Sequence, residues 1–99
     1  MARFHVYRAQ RDDILLLDLQ ADFLDVLKTR VVAPLVPADD MTWNIGQLNP
    51  RFEIAGRLYV MATQRMAAIT TAEIGSAVAD LSEQHDRIVA ATDFLFQGF

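Results

Sequence analysis

The chain contains no cysteine, so neither disulfides nor thiolate metal sites are available to it, and a reducing cytoplasm is the expected location. No apolar run approaches the roughly 18 residues that a membrane-spanning helix needs. Its start, Met1-Ala-Arg-Phe-His-Val-Tyr7, enters a strand pattern at once, which leaves no room for a signal peptide. Positive charge is scarce: nine Lys and Arg against thirteen Asp and Glu leave a net charge of -4. Phosphate backbones are bound by neutralising them with Lys and Arg, so this balance argues against direct nucleic-acid binding. Histidine is limited to His5 and His85, and neither stands at ligand spacing from another ligand type. Glycine-rich phosphate loops, Gly-x-Ser-x-Gly and His-Glu-x-x-His are all absent, as are internal repeats.

What the chain does have is apolar material, 53% of its 99 residues. That suits a single domain spanning 1–99, and the excess for so small a body points to a buried subunit interface. Residues 2–9 alternate, Phe4 and Val6 on one face and His5 and Tyr7 on the other, and predict a strand. After the polar turn Arg11-Asp12-Asp13, residues 14–20 predict its hairpin partner, with Leu15, Leu17 and Leu19 on one face and Leu16, Asp18 and Gln20 on the other. Asp22 and Asp25 bracket Phe23 and Leu24 in a short turn, where carboxylates cap backbone N–H groups. Residues 29–36 read as a third strand, and Pro34, lacking an N–H, belongs on an edge or at a bulge.

Residues 41–50 read as a long loop with one or two strand pieces, and Trp43 as a cover for the core. Residues 51–55 and 57–62 form a second hairpin about Gly56. A weaker sixth strand covers 67–74, followed by a turn-rich link between Gly75 and Asp80. Ser82 is the expected N-cap of a terminal helix carrying Glu83 and Asp86 in its first turn. Its apolar stripe, Ile88, Ala91, Leu95 and Phe99, is broadened by Val89, Thr92 and Phe96. Five or six short strands followed by one helix describe a mainly β fold, an SH3-like barrel of antiparallel sheet with one long terminal helix. The helix ends in Phe96-Gln97-Gly98-Phe99. Aromatics are uncommon at a chain end, so they either pack back on the body or meet a partner.

In order along the chain, Phe4-x-Val6-Tyr7, Asp18-x-Gln20-x-Asp22, Pro34-Leu35, Met61-x-Thr63, Ile74-Gly75, residues 78–82 and Leu95-Phe96-x-Gly98 together resemble the CcdB family, toxins of CcdA/CcdB-type toxin–antitoxin modules. The resemblance spans essentially all 99 residues. It implies a homodimer that catalyses no reaction, uses no cofactor or metal, binds the DNA gyrase A subunit and traps the gyrase–DNA cleavage complex. It also implies a CcdA-like antitoxin that wraps the toxin with a disordered segment, and repression of operator DNA only through that complex. Carried over, the gyrase-facing set is Phe23, Leu24, Asp93, Phe96, Gln97, Gly98 and Phe99. Gln97 stands where the family pattern has Trp, losing a flat face for a cation. A degenerate or retargeted dimeric module is therefore an alternative reading. MazF-type endoribonucleases share the fold, and Arg65, Thr63 and Ser76 are the residues such chemistry would draw on.

Overall fold

In the computed structural model, which describes residues 1–41 and 44–99, seven strands precede a single α-helix. They are β1 (His5–Ala9), β2 (Leu15–Asp18), β3 (Thr29–Pro37), β4 (Arg51–Ile54), β5 (Arg57–Met61), β6 (Ala67–Thr70) and β7 (Ile74–Asp80), and the helix is α1 (His85–Gln97). All pairings are antiparallel, in the order β4-β5-β3-β2-β1-β7, with β6 on the first half of β3. The result is a curled sheet, a half-barrel, closed by one C-terminal helix, as the sequence pattern predicts.

Both expected hairpins form. Val6 pairs with Leu17, and Phe52 with Tyr59. The second turn carries two residues in the left-handed region, Ala55 at φ 53° and Gly56 at φ 79°. That is the conformation a two-residue hairpin of right-handed twist requires. The sequence identified Gly56; Ala55 takes up the same strained region without glycine's freedom.

The main core lies between the curled sheet and α1: Val6, Leu15, Leu17, Ala33, Leu35, Phe52, Ile54 and Met61 meet Leu81, Ile88 and Ala91. A second, smaller cluster, Tyr7, Leu16, Val32 and Ile74, covers the opposite face. Leu16, Asp18 and Gln20 do lie on the face away from Leu15 and Leu17, but that face is buried too. An alternating pattern reports which residues share a face and is silent on whether a second layer covers the other one.

Pro34 is also placed differently from expectation. It sits mid-strand in β3, opposite Leu16, at the point where the partner on the other side changes from β6 to β5. Its carbonyl accepts from the Ala62 N–H at 2.9 Å. In a strand the N and O of one residue point the same way, so the missing N–H faces this seam, where no ladder bond is lost.

Three further corrections concern the chain after Pro37. The described residues between Met41 and Pro50 contain no strand; Trp43 lies outside them. Buried Asn49 organises this segment, with its side-chain oxygen accepting from the Ile45 N–H at 3.0 Å and its amide donating to the Met61 carbonyl at 3.0 Å. Residues 67–74 split into β6 and a 3-10 turn (Thr71–Glu73), and the supposed link after Gly75 is β7, which pairs with β1 through two register shifts. Small residues such as Ser76, Ala77 and Ala79 give β7 little intrinsic strand preference, so tertiary pairing decides it. Finally, a 3-10 turn (Ser82–Gln84) intervenes before α1, and Ser82 caps neither. Leu81 holds the N-cap position of that turn, and Asp80 before it accepts the Ser82 N–H on its carboxylate at 2.8 Å.

Gly75 is required by space. A Cβ there would lie 2.6 Å from the Arg8 carbonyl oxygen, a backbone atom held in the β1–β7 ladder. Gly75→Ala is therefore expected to destabilise the protein by about 1–3 kcal/mol in urea unfolding. Hydrogen bonds from the Ser82 side chain and backbone, with a smaller contribution from His5, hold the Asp80 carboxyl below its ordinary 3.8. A depressed carboxylate stabilises the fold above its unfolded pKa, and that contribution is lost as pH falls through the lower folded value. Unfolding midpoints measured below pH 3.8 should accordingly fall less steeply for Asp80→Asn than for the wild type.

Candidate functional site

The helix α1 is buried only in part. Ile88 and Ala91 are fully enclosed and Leu95 is half-buried, but Asp93, Phe96, Gln97, Gly98 and Phe99 are exposed. The stripe read from the sequence thus runs on past the sheet that would cover it. Phe96 is 72% exposed and Phe99 83%, so the aromatic ending does not pack back on the body.

Gly98 ends the helix in the left-handed conformation, φ 81°, and its N–H donates to the Phe94 carbonyl at 2.9 Å. This is the common glycine helix stop, in which a β-carbon would add strain. A Cβ there would meet nothing within 4 Å, so within the chain Gly98 serves conformation and not close approach.

Two grooves flank the exposed ridge. One, of about 420 Å³, lies between α1 and the 46–50 segment and is lined by Arg87, Asp93, Phe94 and Phe99. The other, about 260 Å³, is lined by Arg3, Phe4, Leu19, Met66, Val89 and Phe96. Asp93 thus lines the first groove and Phe96 the second, three residues apart on adjacent turns of the exposed ridge. Arg87 is fixed, donating to the Arg51 carbonyl at 2.9 Å with its guanidinium 4.8 Å above the Phe52 ring.

The acidic bracket is a second exposed apolar surface. Phe23 is 82% exposed and Val26 86%; Leu27 is exposed and Leu24 half-buried. Phe23 and Leu24 form a 3-10 turn with Asp22, but they line neither groove beside the helix. The expected self-capping by Asp22 is not found. Its carboxylate accepts the Arg3 N–H at 2.7 Å, tying the loop to the chain's first residues, and Asp25 accepts from the Arg30 guanidinium at 3.0 Å. Met1 brings its amino group to 3.7 Å from the same carboxylate.

Arg30 is the residue that the sequence reading passed over. Its side chain is fully buried and donates through Nε to both oxygens of Asp18, at 3.1 and 3.3 Å, and through Nη2 to Asp18 and the Gln20 carbonyl. Strand register explains the meeting: Asp18 faces Val32, and Arg30 lies two residues earlier on the same face, diagonal to Asp18. Buried Gln20 finishes the network, donating to the Leu24 and Thr29 carbonyls and accepting the Val31 N–H. An acid among leucines and a base in a β-branched strand were the available signal, since neither is buried without a partner.

The ribonuclease-type residues do not assemble. Thr63 is fully buried and its hydroxyl donates to the Leu48 carbonyl, whereas Arg65 and Ser76 are exposed. Arg65 instead shares a wider cleft, about 740 Å³, with Arg8, Arg57, Tyr59, Asp13 and Asp40. His5 lies 3.6 Å from Asp80, and His85 stacks on Phe4 and contacts Asp86. Among the described residues no three His, Asp or Glu side chains converge as metal ligands, and no helix is long and apolar enough to cross a membrane.

A family model described as CcdB protein matches residues 3–98. Among solved structures, an endoribonuclease in complex with its cognate antitoxin from a mycobacterial species is similar at a TM-score of 0.79 and 12% identity, over 97% of this chain and 94% of that one. At that identity the likeness is one of fold.

Removing exposed and buried apolar groups of one helix should separate binding from folding. Phe96→Ala and Phe99→Ala are expected to change unfolding free energy by less than about 0.5 kcal/mol. Ile88→Ala, within the core, should lose about 2–5 kcal/mol in the same denaturant titration.

Proposed function

Because the chain belongs to the CcdB protein family, a family of toxin–antitoxin toxins, we propose that it works by binding the DNA gyrase A subunit as a homodimer and trapping gyrase on cleaved DNA. The observation that carries this reading is the overhanging end of α1, where Phe96 and Phe99 stand 72% and 83% exposed beside Asp93. Such residues gain nothing from water; each ring would bury about 150 Å² or more in a partner. The left-handed stop at Gly98 sets the direction of Phe99. The grooves on either flank offer recesses into which a partner's side chains would fit. Phe23 and Leu24 would supply a further apolar contact from the loop bracketed by Asp22 and Asp25. Two copies in a dimer present the surface twice, matching a two-fold symmetric target and raising effective concentration.

In this mechanism the protein makes and breaks no bond. It acts in the cytoplasm by differential affinity, binding the cleaved gyrase–DNA state more tightly than the resealed one and shifting the population toward it. A CcdA-like antitoxin with a disordered segment that orders on binding would cover the same exposed apolar surface, and operator DNA would be bound only by the joint complex. Gln97 tempers the grip. An amide lacks the flat ring face that, at a buried interface, contributes about 0.5–2 kcal/mol on a cation.

A second reading, an RNA-directed endoribonuclease, draws on the cleft lined by Arg8, Arg57 and Arg65 with Tyr59. Against it stand Asp13 and Asp40 in the same cleft, the 3.1 Å Arg8–Asp13 pair and the enclosed Thr63 hydroxyl. A degenerate module without poisoning activity is the reading if the helix end binds no gyrase.

Expression in bacteria carrying a matched gyrase should arrest growth and accumulate gyrase–DNA cleavage complexes, and Phe96→Ala should abolish both. Arrest without cleavage complexes would sink the gyrase reading, and site-selective cuts in unstructured RNA would replace it with the second. Gln97→Trp should deepen the arrest, by up to about tenfold in the inducer needed.

A further inference from the structure

We propose that Arg30 and Asp25 are positioning residues for the proposed gyrase contact, holding the Phe23–Leu27 loop in the shape in which it meets its partner. The inference rests on the gyrase reading and adds to it the residues that present the surface. The Arg30 guanidinium has two distinct sides. Nε and Nη2 are taken up inside the fold by Asp18 and the Gln20 carbonyl, and Nη1 points out of the fold to Asp25 at 3.0 Å. Asp25 itself is 55% exposed and belongs to the loop. One rigid, fully charged side chain thus links the interior to a loop whose apolar residues face water.

Fixing this loop needs an explanation, because nothing apolar holds it. Phe23, Val26 and Leu27 are all exposed and Leu24 is only half-buried, so no core contact restrains residues 22–27. The restraint is polar. The Gln20 amide donates to the Leu24 carbonyl at 3.2 Å, Arg3 donates its N–H to Asp22 at 2.7 Å, and Arg30 grips Asp25. A loop with exposed aromatics and no such ties would collapse its side chains onto the nearest apolar surface. Held as it is, it presents them with their ordering entropy already spent, which strengthens binding through pre-organisation.

Substituting Arg30 would empty a buried site and unfold much of the chain, so the test uses Asp25, whose loss leaves the Asp18–Arg30 pair intact. Asp25→Ala should weaken binding of the gyrase A subunit by roughly tenfold in calorimetric titration, and Asp25→Asn, which keeps an acceptor for Nη1, by less than about threefold. If the effect runs through presentation of the apolar loop, it disappears in a Phe23→Ala background. The double variant should then bind within about twofold of Phe23→Ala alone. Additive losses would overturn the proposal. Amide hydrogen exchange on the free proteins gives an answer independent of gyrase: Asp25→Ala should speed exchange at residues 22–27 and leave β1, β2 and β3 protected. Unchanged exchange in the loop overturns the positioning role. Wild-type protein that binds no gyrase overturns the functional reading instead, and the exchange result then decides the positioning role alone.

Discussion

The buried pair of Asp18 and Arg30 is the constraint on which the rest of the architecture depends. Both side chains are fully enclosed. Isolated charges there would be prohibitive, so each residue is tolerable only if β2 and β3 pair in the register that brings them together. A slip of one residue in β3 would turn Arg30 toward the apolar core and leave Asp18 enclosed without its partner. Such a pair contributes little net stability compared with a well-packed apolar replacement, because desolvation offsets most of the attraction. What it does supply is direction. It fixes register, orders Gln20, and extends an arm to Asp25 in the loop beside it.

That arrangement separates folding from recognition within a small chain. The two clusters on either face of the sheet account for most of the buried apolar side chains, with Ile88 and Ala91 joining α1 to the larger one. The most exposed large apolar residues among those described, Phe23, Val26, Phe96 and Phe99, are held at the surface by polar devices: the Arg30 network at the loop and the left-handed Gly98 at the helix end. A protein of this size gains little by exposing four large apolar groups unless something covers them. Membership of the CcdB family and this surface point the same way.

Much of the fold was legible. Both hairpins, the third strand, the terminal helix and the main core face follow from alternation, turn residues and 3–4 spacing, which are local signals. The candidate site was legible in part. Phe96, Gly98 and Phe99 were marked by an odd chain end, and Phe23 and Leu24 only by resemblance. Arg30 escaped because its meaning lies in a partner twelve residues away on another strand. The strand β7 escaped for a similar reason, since a run of Gly, Ser and Ala has no preference strong enough to announce itself.

By itself, then, the sequence determined which residues share a face, where the chain turns and which segment is helical, because steric preference and periodicity act over a few neighbours. Only the tertiary structure decided which faces are covered. It enclosed the second face of β2, Leu16 among Tyr7, Val32 and Ile74 and Asp18 against Arg30, carried Pro34 to the seam between two partner strands, and left the end of the helix beyond the sheet. Burial is a property of what lies opposite, and what lies opposite is set by pairings between distant residues.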